Sequence, residues 1–253
     1  MSAILLSSCG QTGGSNSTGS LTPTANSQST RTARTLSAGA LSCAQNAITG
    51  QGVPLGSAAA FAVLAASTVT NAGATTVTGD LGVAPGTAVT GFGPGTVIGA
   101  IYAGVPAAAQ AQGDLTIAYN NAAGRVNPAA VPSDIGGTTI TPGLYKAPVS
   151  LAITGNVTLD GQNDPNSVFI FQMASTLTEA VNSSVTLING ANACNVFWQV
   201  GSSATLKTAS AFSGTILAYA SISVGTGATV NGRLLARTGA VTMLGDTITK
   251  TDP

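Results

Sequence analysis

Side chains able to move protons, hold metals or grip phosphate are few in this chain, and they are scattered. Histidine is absent, and 8 Lys and Arg balance 8 Asp and Glu among 253 residues. The commonest general base and the commonest metal ligand are therefore missing, and no cofactor or metal is expected. Lyases and hydrolases on β-helical frames need clustered carboxylates with Arg or Lys, and in some cases calcium. Here Asp160 and Asp164 stand in the loop "LDGQNDPNS", while Lys207, Arg233, Arg237 and Asp246 are spread through a repetitive second half. Each fits a turn cap or a solvated corner better than catalysis. Asp80 and Asp134 lie near Gly in turn-like contexts, and "GDLG" lacks the glycine spacing and Lys of a phosphate loop. Trp198 in "VFWQV" reads as core rather than as a sugar platform. Balanced charge leaves no footprint for nucleic acid or an anionic membrane surface. An enzyme is not expected.

The three cysteines speak of export. Leu6-Ser7-Ser8-Cys9 resembles a bacterial lipobox, in which the leader is cut before a Cys that is then acylated, although no Lys or Arg precedes it. Residues 1–9 are read as a signal and lipobox remnant, 10–39 as a polar low-complexity tether, and 40–253 as one folded domain. The expected product is an outer-membrane lipoprotein held by Cys9, or a secreted protein, and in either case a monomer. An exported compartment allows Cys43 and Cys194 to pair, although Cys194 in "ACNVFWQV" also reads as a buried thiol. No stretch is long enough to span a membrane.

Charge is sparse but apolar content is 44%, so Thr, Ala, Gly and Val point to short strands and tight turns rather than disorder. Folded structure is expected from about Leu55. One segment differs from the rest. In Pro106 to Arg125, Pro106 can open a helix and Gly124 can close it, and Ala108, Ala111, Leu115, Ala118, Tyr119 and Ala122 recur at three- and four-residue steps. That spacing predicts one long helix packed closely on something flat, with Gly113 weakening it. Downstream, apolar strand, small-residue corner and second strand repeat about every 18 residues, and Phe212, Val230 and Ile248 recur at inward positions, as in β-solenoid coils.

Blocks along the chain carry a resemblance: "FAVLAASTVTNAGATTVTGDLGVAPGTAVTGF", "AQGDLTIAYNNAAGR", "ITPGLYK", "VFIFQM", "ACNVFWQVGSSATL", "FSGTILAYASI" and "ATVNGRLLARTGAVT". Over about Leu55 to Lys250 the sequence resembles the DUF3494 ice-binding proteins of cold-adapted microbes. The resemblance implies a mainly β fold, a discontinuous right-handed β-solenoid of triangular section with one helix along a side. It also implies adsorption to ice crystal surfaces, with thermal hysteresis and inhibition of recrystallisation. A non-catalytic adhesive or structural surface module without ice affinity is the alternative.

Residue chemistry is compatible with that function. Neighbouring coils stand about 4.7–4.9 Å apart, and residues on one face of a strand repeat about every 6.5–6.8 Å, steps similar to oxygen repeats in ice. Threonine offers a rotamer-restricted methyl and hydroxyl pair, which limits the entropy lost on contact. The family's ice face often shows Thr, then Ala or Gly, any residue, then Thr or Asn. Thr226-Gly227-Ala228-Thr229 matches fully, Thr208-Ala209-Ser210-Ala211 keeps the first half and Leu244-Gly245-Asp246-Thr247 the second. In the preceding coil, Glu179-Ala180-Val181-Asn182 puts Glu where Thr would stand. The expected ice-binding residues are therefore Asn182, Thr208, Ala209, Thr226, Gly227, Thr229 and Thr247. Thr226 and Thr229 are three apart, so a bulge at Gly227 or a corner must lie between them. A rival column of Thr176, Thr205, Ser223 and Thr242, with Thr178 beside it, obeys strand alternation more simply.

Overall fold

The computed structural model describes residues 52–251 of the chain. Among these residues the β-branched segments form twenty-two short strands that pair in parallel. Each coil runs through three strands, so the strands stack into three faces. Face 1 contains, in stacking order, 101–103, 80–83, 61–65, 232–236, 214–218, 196–200, 169–173, 143–146 and 129–130. Face 2 is a seven-stranded sheet: Ala88–Thr90, Thr68–Asn71, Val241–Met243, Ile222–Val224, Ala204–Leu206, Leu177–Glu179 and Leu151–Ile153. Face 3 runs from Thr96–Ile98 through Thr76–Thr78, Thr247–Thr249, 229–231, 211–213, Ser184–Ile188 and Asn156–Asp160 to Thr139–Ile140.

Chain order and stacking order differ. The first coils, from Phe61 to Ala103, lie at one end of the stack. The helix then carries the chain along face 1 to the opposite end, and the remaining coils return until Val241–Met243 and Thr247–Thr249 pair with Thr68–Asn71 and Thr76–Thr78. This is the discontinuity implied by the family resemblance. Two eight-residue strands, Ala211–Ala218 and Thr229–Ala236, bend from face 3 into face 1. Gly214 sits at the bend with φ +116°, where an added Cβ would lie 2.7 Å from Trp198 Nε1.

Apolar residues that alternate inward fill the stack. Phe212, Val230 and Ile248 are buried and in register, as the 18-residue period predicts, each side chain stabilising by roughly 1.5–3 kcal/mol. Tyr145, Phe171, Trp198 and Phe212 form a run of rings with centroid separations of 5.5, 4.1 and 5.3 Å. Trp198 is fully buried, and its Nε1 donates to the Ser213 carbonyl at 3.1 Å, so the core reading of this residue holds.

The helix spans Pro106–Ala123, with Ala108, Ala111, Leu115, Ala118, Tyr119 and Ala122 buried. All of these but Ala108 pack in one cluster with Phe61, Leu64, Ile170, Phe197, Leu217 and Leu235, which project from face 1. Small residues on the helix let it approach a pleated sheet closely. Gln172 Nε2 donates to the carbonyls of Ala122 and Arg125, satisfying groups at the helix end.

Candidate functional site

Face 2 is built by strict alternation. Leu177, Ala204, Ile222, Val241 and Val69 point inward and are buried. The residues that follow them point outward in one register: Ala152, Thr178, Thr205, Ser223, Thr242, Thr70 and Thr90. Thr90 Oγ1 lies 3.5 Å from Thr70 Oγ1, so adjacent hydroxyls meet along this ladder. A second column runs through Ser150, Thr176, Ser203, Ser221 and Ala240. Leu151 N donates to Thr176 O, Leu177 N to Ser203 O, Ala204 N to Ser221 O and Ile222 N to Ala240 O, and Thr176 Oγ1 donates to Ser150 Oγ at 3.1 Å. The rival column is thereby corrected: Thr178 belongs in the ladder with Thr205, Ser223 and Thr242, and Thr176 stands in the column beside it. Sequence reasoning missed Thr70 and Thr90. They lie in early coils that reach this ladder only through the discontinuity, although Thr at alternate positions in "STVTN" was a visible signal.

The Thr-(Ala/Gly)-any-(Thr/Asn) segments occupy the corner between faces 2 and 3. Ser183 N donates to Ala180 O, Ser210 N to Lys207 O and Ala228 N to Gly225 O, closing equivalent four-residue turns. The third residue of each is left-handed: Asn182 at φ 56°, Ala209 at 55° and Gly227 at 71°, as a type II turn requires. A corner, not a bulge, therefore separates Thr226 from Thr229. Thr208 and Thr226 are exposed in the turns, whereas Thr229 and Thr247 are in register on face 3. The expected single column is divided between a corner and a face.

Two alignments fail for geometric reasons. Glu179 pairs with Leu206 and points into the core, fully buried; it does not take the place of a Thr. In its coil Val181 occupies the position of Thr208, and Asn182 that of Ala209. Leu244 has no Thr226 counterpart, because three residues separate Met243 from Thr247 where four separate Val224 from Thr229.

Face 3 carries its own paired threonines. Thr76 and Thr78 are in register with Thr247 and Thr249, and Thr229 and Asn231 continue the two columns. This face also holds an open depression of about 430 Å³ bordered by Thr186, Ala211, Ser213, Thr229, Asn231 and Thr249.

Electrostatically, the outward strand positions of face 2 are neutral, with Lys207 at the corner. Neither oxygen of Glu179 has a hydrogen-bond partner. Burial pushes its carboxyl up to about 8, with the Ser210 side chain opposing the shift. Burial also raises the Asp246 carboxyl, against donation from Leu244 N at 2.6 Å.

Asp160, Asp164 and Asp134 serve turns as expected, whereas Asp80 links neighbouring coils. Asp160 Oδ1 accepts from Gln162 N, Asp164 Oδ1 from Asn166 N, Asp134 Oδ1 from Gly136 N and Asp80 Oδ1 from Ala100 N. Arg233 differs from the expected solvated corner. It is 2% exposed, with Nε donating to Ala59 O and Nη2 to Thr251 O, and so ties both ends of the described chain to one coil. Among the described residues no three His, Cys, Asp or Glu side chains come together as a metal site would need. Cys194 is disulfide-bonded, not a free thiol; its partner, like Cys9 and Cys43 and the 10–39 tether, lies outside the described residues.

Residues 63–249 match the family model described as Ice-binding-like. An ice-binding protein from Nostoc sp. (strain HG1) is 50% identical over 191 residues, covering 75% of this chain and 71% of the relative. One from Flavobacterium frigoris (strain PS1) is 39% identical over 216 residues, covering 78% and 76%. Among solved structures, an ice-binding protein from an Antarctic biological consortium superposes with TM-score 0.76 at 51% identity, covering 78% of this chain and 90% of that one. The ice-binding protein of the Antarctic ascomycete Antarctomyces psychrotrophicus superposes with TM-score 0.77 at 41% identity, covering 80% of this chain and the whole of that one.

Proposed function

Since this chain belongs to the ice-binding-like family, we propose that it adsorbs to ice through face 2, giving thermal hysteresis and blocking recrystallisation. The observation that carries the placement is the ladder from Thr178 through Thr205, Ser223, Thr242 and Thr70 to Thr90, uncharged and in one register across six coils. Coils about 4.8 Å apart hold these hydroxyls and methyls on buried, parallel strands, so little side-chain freedom is lost on contact with a lattice. Thr208 and Thr226 extend the surface at its corner edge. Asn182, Ala209 and Gly227 act through the turn backbone that presents them.

Face 3 is the second reading, favoured by the paired Thr76/Thr78 and Thr247/Thr249. Its depression disfavours contact with a lattice plane. Thermal hysteresis of bulky variants separates the two readings. Thr205→Tyr or Thr242→Tyr should abolish most activity in a folded protein, while Thr247→Tyr leaves it largely intact. The opposite outcome moves the site to face 3, and no effect from either removes the ice-contact assignment. We also propose that the protein is exported and monomeric, that Cys43 is the partner of Cys194, and that acylated Cys9 anchors it to a membrane. Cys9→Ala should release it from the membrane fraction; an unchanged distribution overturns the anchor.

A further inference from the structure

A cleft of about 380 Å³ opens beside the C-terminal half of the helix, where face 1 meets face 2, a size near the lower end of small-ligand sites. Its walls combine two tyrosines, two buried amides and a lysine, with no carboxylate among its lining residues. Gln172 and Gln199 are 4% and 6% exposed. Their Nε2 groups are engaged, Gln172 with the carbonyls at the helix end and Gln199 with Tyr119 Oη at 2.9 Å. This fixes the amide orientation and leaves each Oε1 as an acceptor without a protein donor. Two amides held in this way, both bordering one cleft, are a polar arrangement that core packing alone does not require.

Tyr219 is 47% exposed and supplies a ring face at the rim. Arg237 braces it from within, its guanidinium carbon 5.3 Å from the Tyr219 centroid and 4.7 Å from that of Tyr119, a separation at which a cation attracts a ring face. The buried Arg237 Nε has no hydrogen-bond partner. Lys146 adds an exposed ammonium.

An exposed ring, two acceptors for hydroxyls and a cation for a carboxylate form the complement of a sugar acid. We infer that this cleft binds a uronic-acid-bearing saccharide, with the pyranose ring on Tyr219, its hydroxyls donating to Gln172 and Gln199, and its carboxylate meeting Lys146. Ala174 and Gly201 line the cleft and precede the Thr176 and Ser203 column of face 2. An acidic polysaccharide held there lies alongside the proposed ice-contact face rather than across it.

Titration calorimetry with the full chain tests this, using a guluronate tetramer and maltotetraose as probes. The guluronate tetramer should bind at millimolar concentration or below, and maltotetraose about tenfold more weakly, the scale of one charge-assisted contact. Lys146→Gln, at an exposed position, should remove the preference without lowering Tm. Tyr219→Ala should weaken binding while Tyr219→Phe retains it. Lack of guluronate binding, equal binding of maltotetraose, or an unaffected Lys146→Gln variant overturns the proposal. Thermal hysteresis measured on the same samples reports the ice-contact reading separately, since the Lys146→Gln change lies outside the face 2 ladder.

Discussion

Glu179 shows how one residue in the core links stability to pH. Its carboxyl, buried with only the Ser210 side chain opposing the effect of burial, is pushed up to about 8 in the folded chain against an ordinary 4.5. Between those values the folded chain retains a proton that the unfolded chain has released. Stability is therefore full below the window, falls as pH rises through it by up to about 1.4 kcal/mol per pH unit, and is level above it. Asp246, raised by burial, acts in the same direction. Tm measured by calorimetry should fall from pH 5 to pH 8. Glu179→Leu, which matches Leu206 in the next coil, should raise Tm at pH 8 and flatten most of the slope; a wild-type Tm independent of pH would show that the carboxyl is not buried. Ala209 gives a second test at this scale. At φ 55° its Cβ carries a left-handed penalty that Gly227 avoids. Ala209→Gly should gain about 1 kcal/mol in chemical denaturation, with thermal hysteresis unchanged because the residue acts through its backbone.

At the scale of elements, the helix was fully legible. Its six buried positions are those predicted by the 3.6-residue period, since amphipathicity is a local property that burial against any flat partner satisfies. Gly113 is on the exposed side, with open space where a Cβ would stand. Gly113→Ala should therefore stabilise by about 1 kcal/mol. Leu115→Asp should cost several kcal/mol by burying an unpaired charge. Equal Tm for Leu115→Asp and wild type would mean that the helix does not depend on this contact. The corners were less legible. Two to five residues join faces 2 and 3, and a one-residue difference moves every position in the turn. A fixed 18-residue count therefore set Leu244 in the threonine column, and matching the motif by residue type set Glu179 there, two positions ahead of the residue that the turn aligns with Thr208.

At the scale of the whole molecule, the coil containing Ala88–Thr90, Thr96–Ile98 and Ile101–Ala103 pairs on one side only among the described residues. Coils such as the one containing Ile222–Val224 are paired on both sides. Opening the end coil breaks fewer ladders and releases less buried surface, so its amides should exchange with solvent faster than those of central coils. Uniform protection in hydrogen-exchange mass spectrometry would show instead that the stack opens as one unit.

By itself the sequence determined the chemical class of the surface: no histidine, little charge, and threonine on short β-prone segments that cannot bury their apolar side without neighbours. It also determined the inward residues Phe212, Val230 and Ile248 and the packed face of the helix, because each follows from a local period. Tertiary structure decided which threonines share a surface. Thr226 and Thr229, three apart in the chain, are parted by a corner, while Thr70 and Thr242, 172 positions apart, are direct neighbours in one ladder. Pairing between coils is set by the order of stacking. That order depends on the helix carrying the chain to the far end before the coils return, a long-range arrangement that no local spacing records.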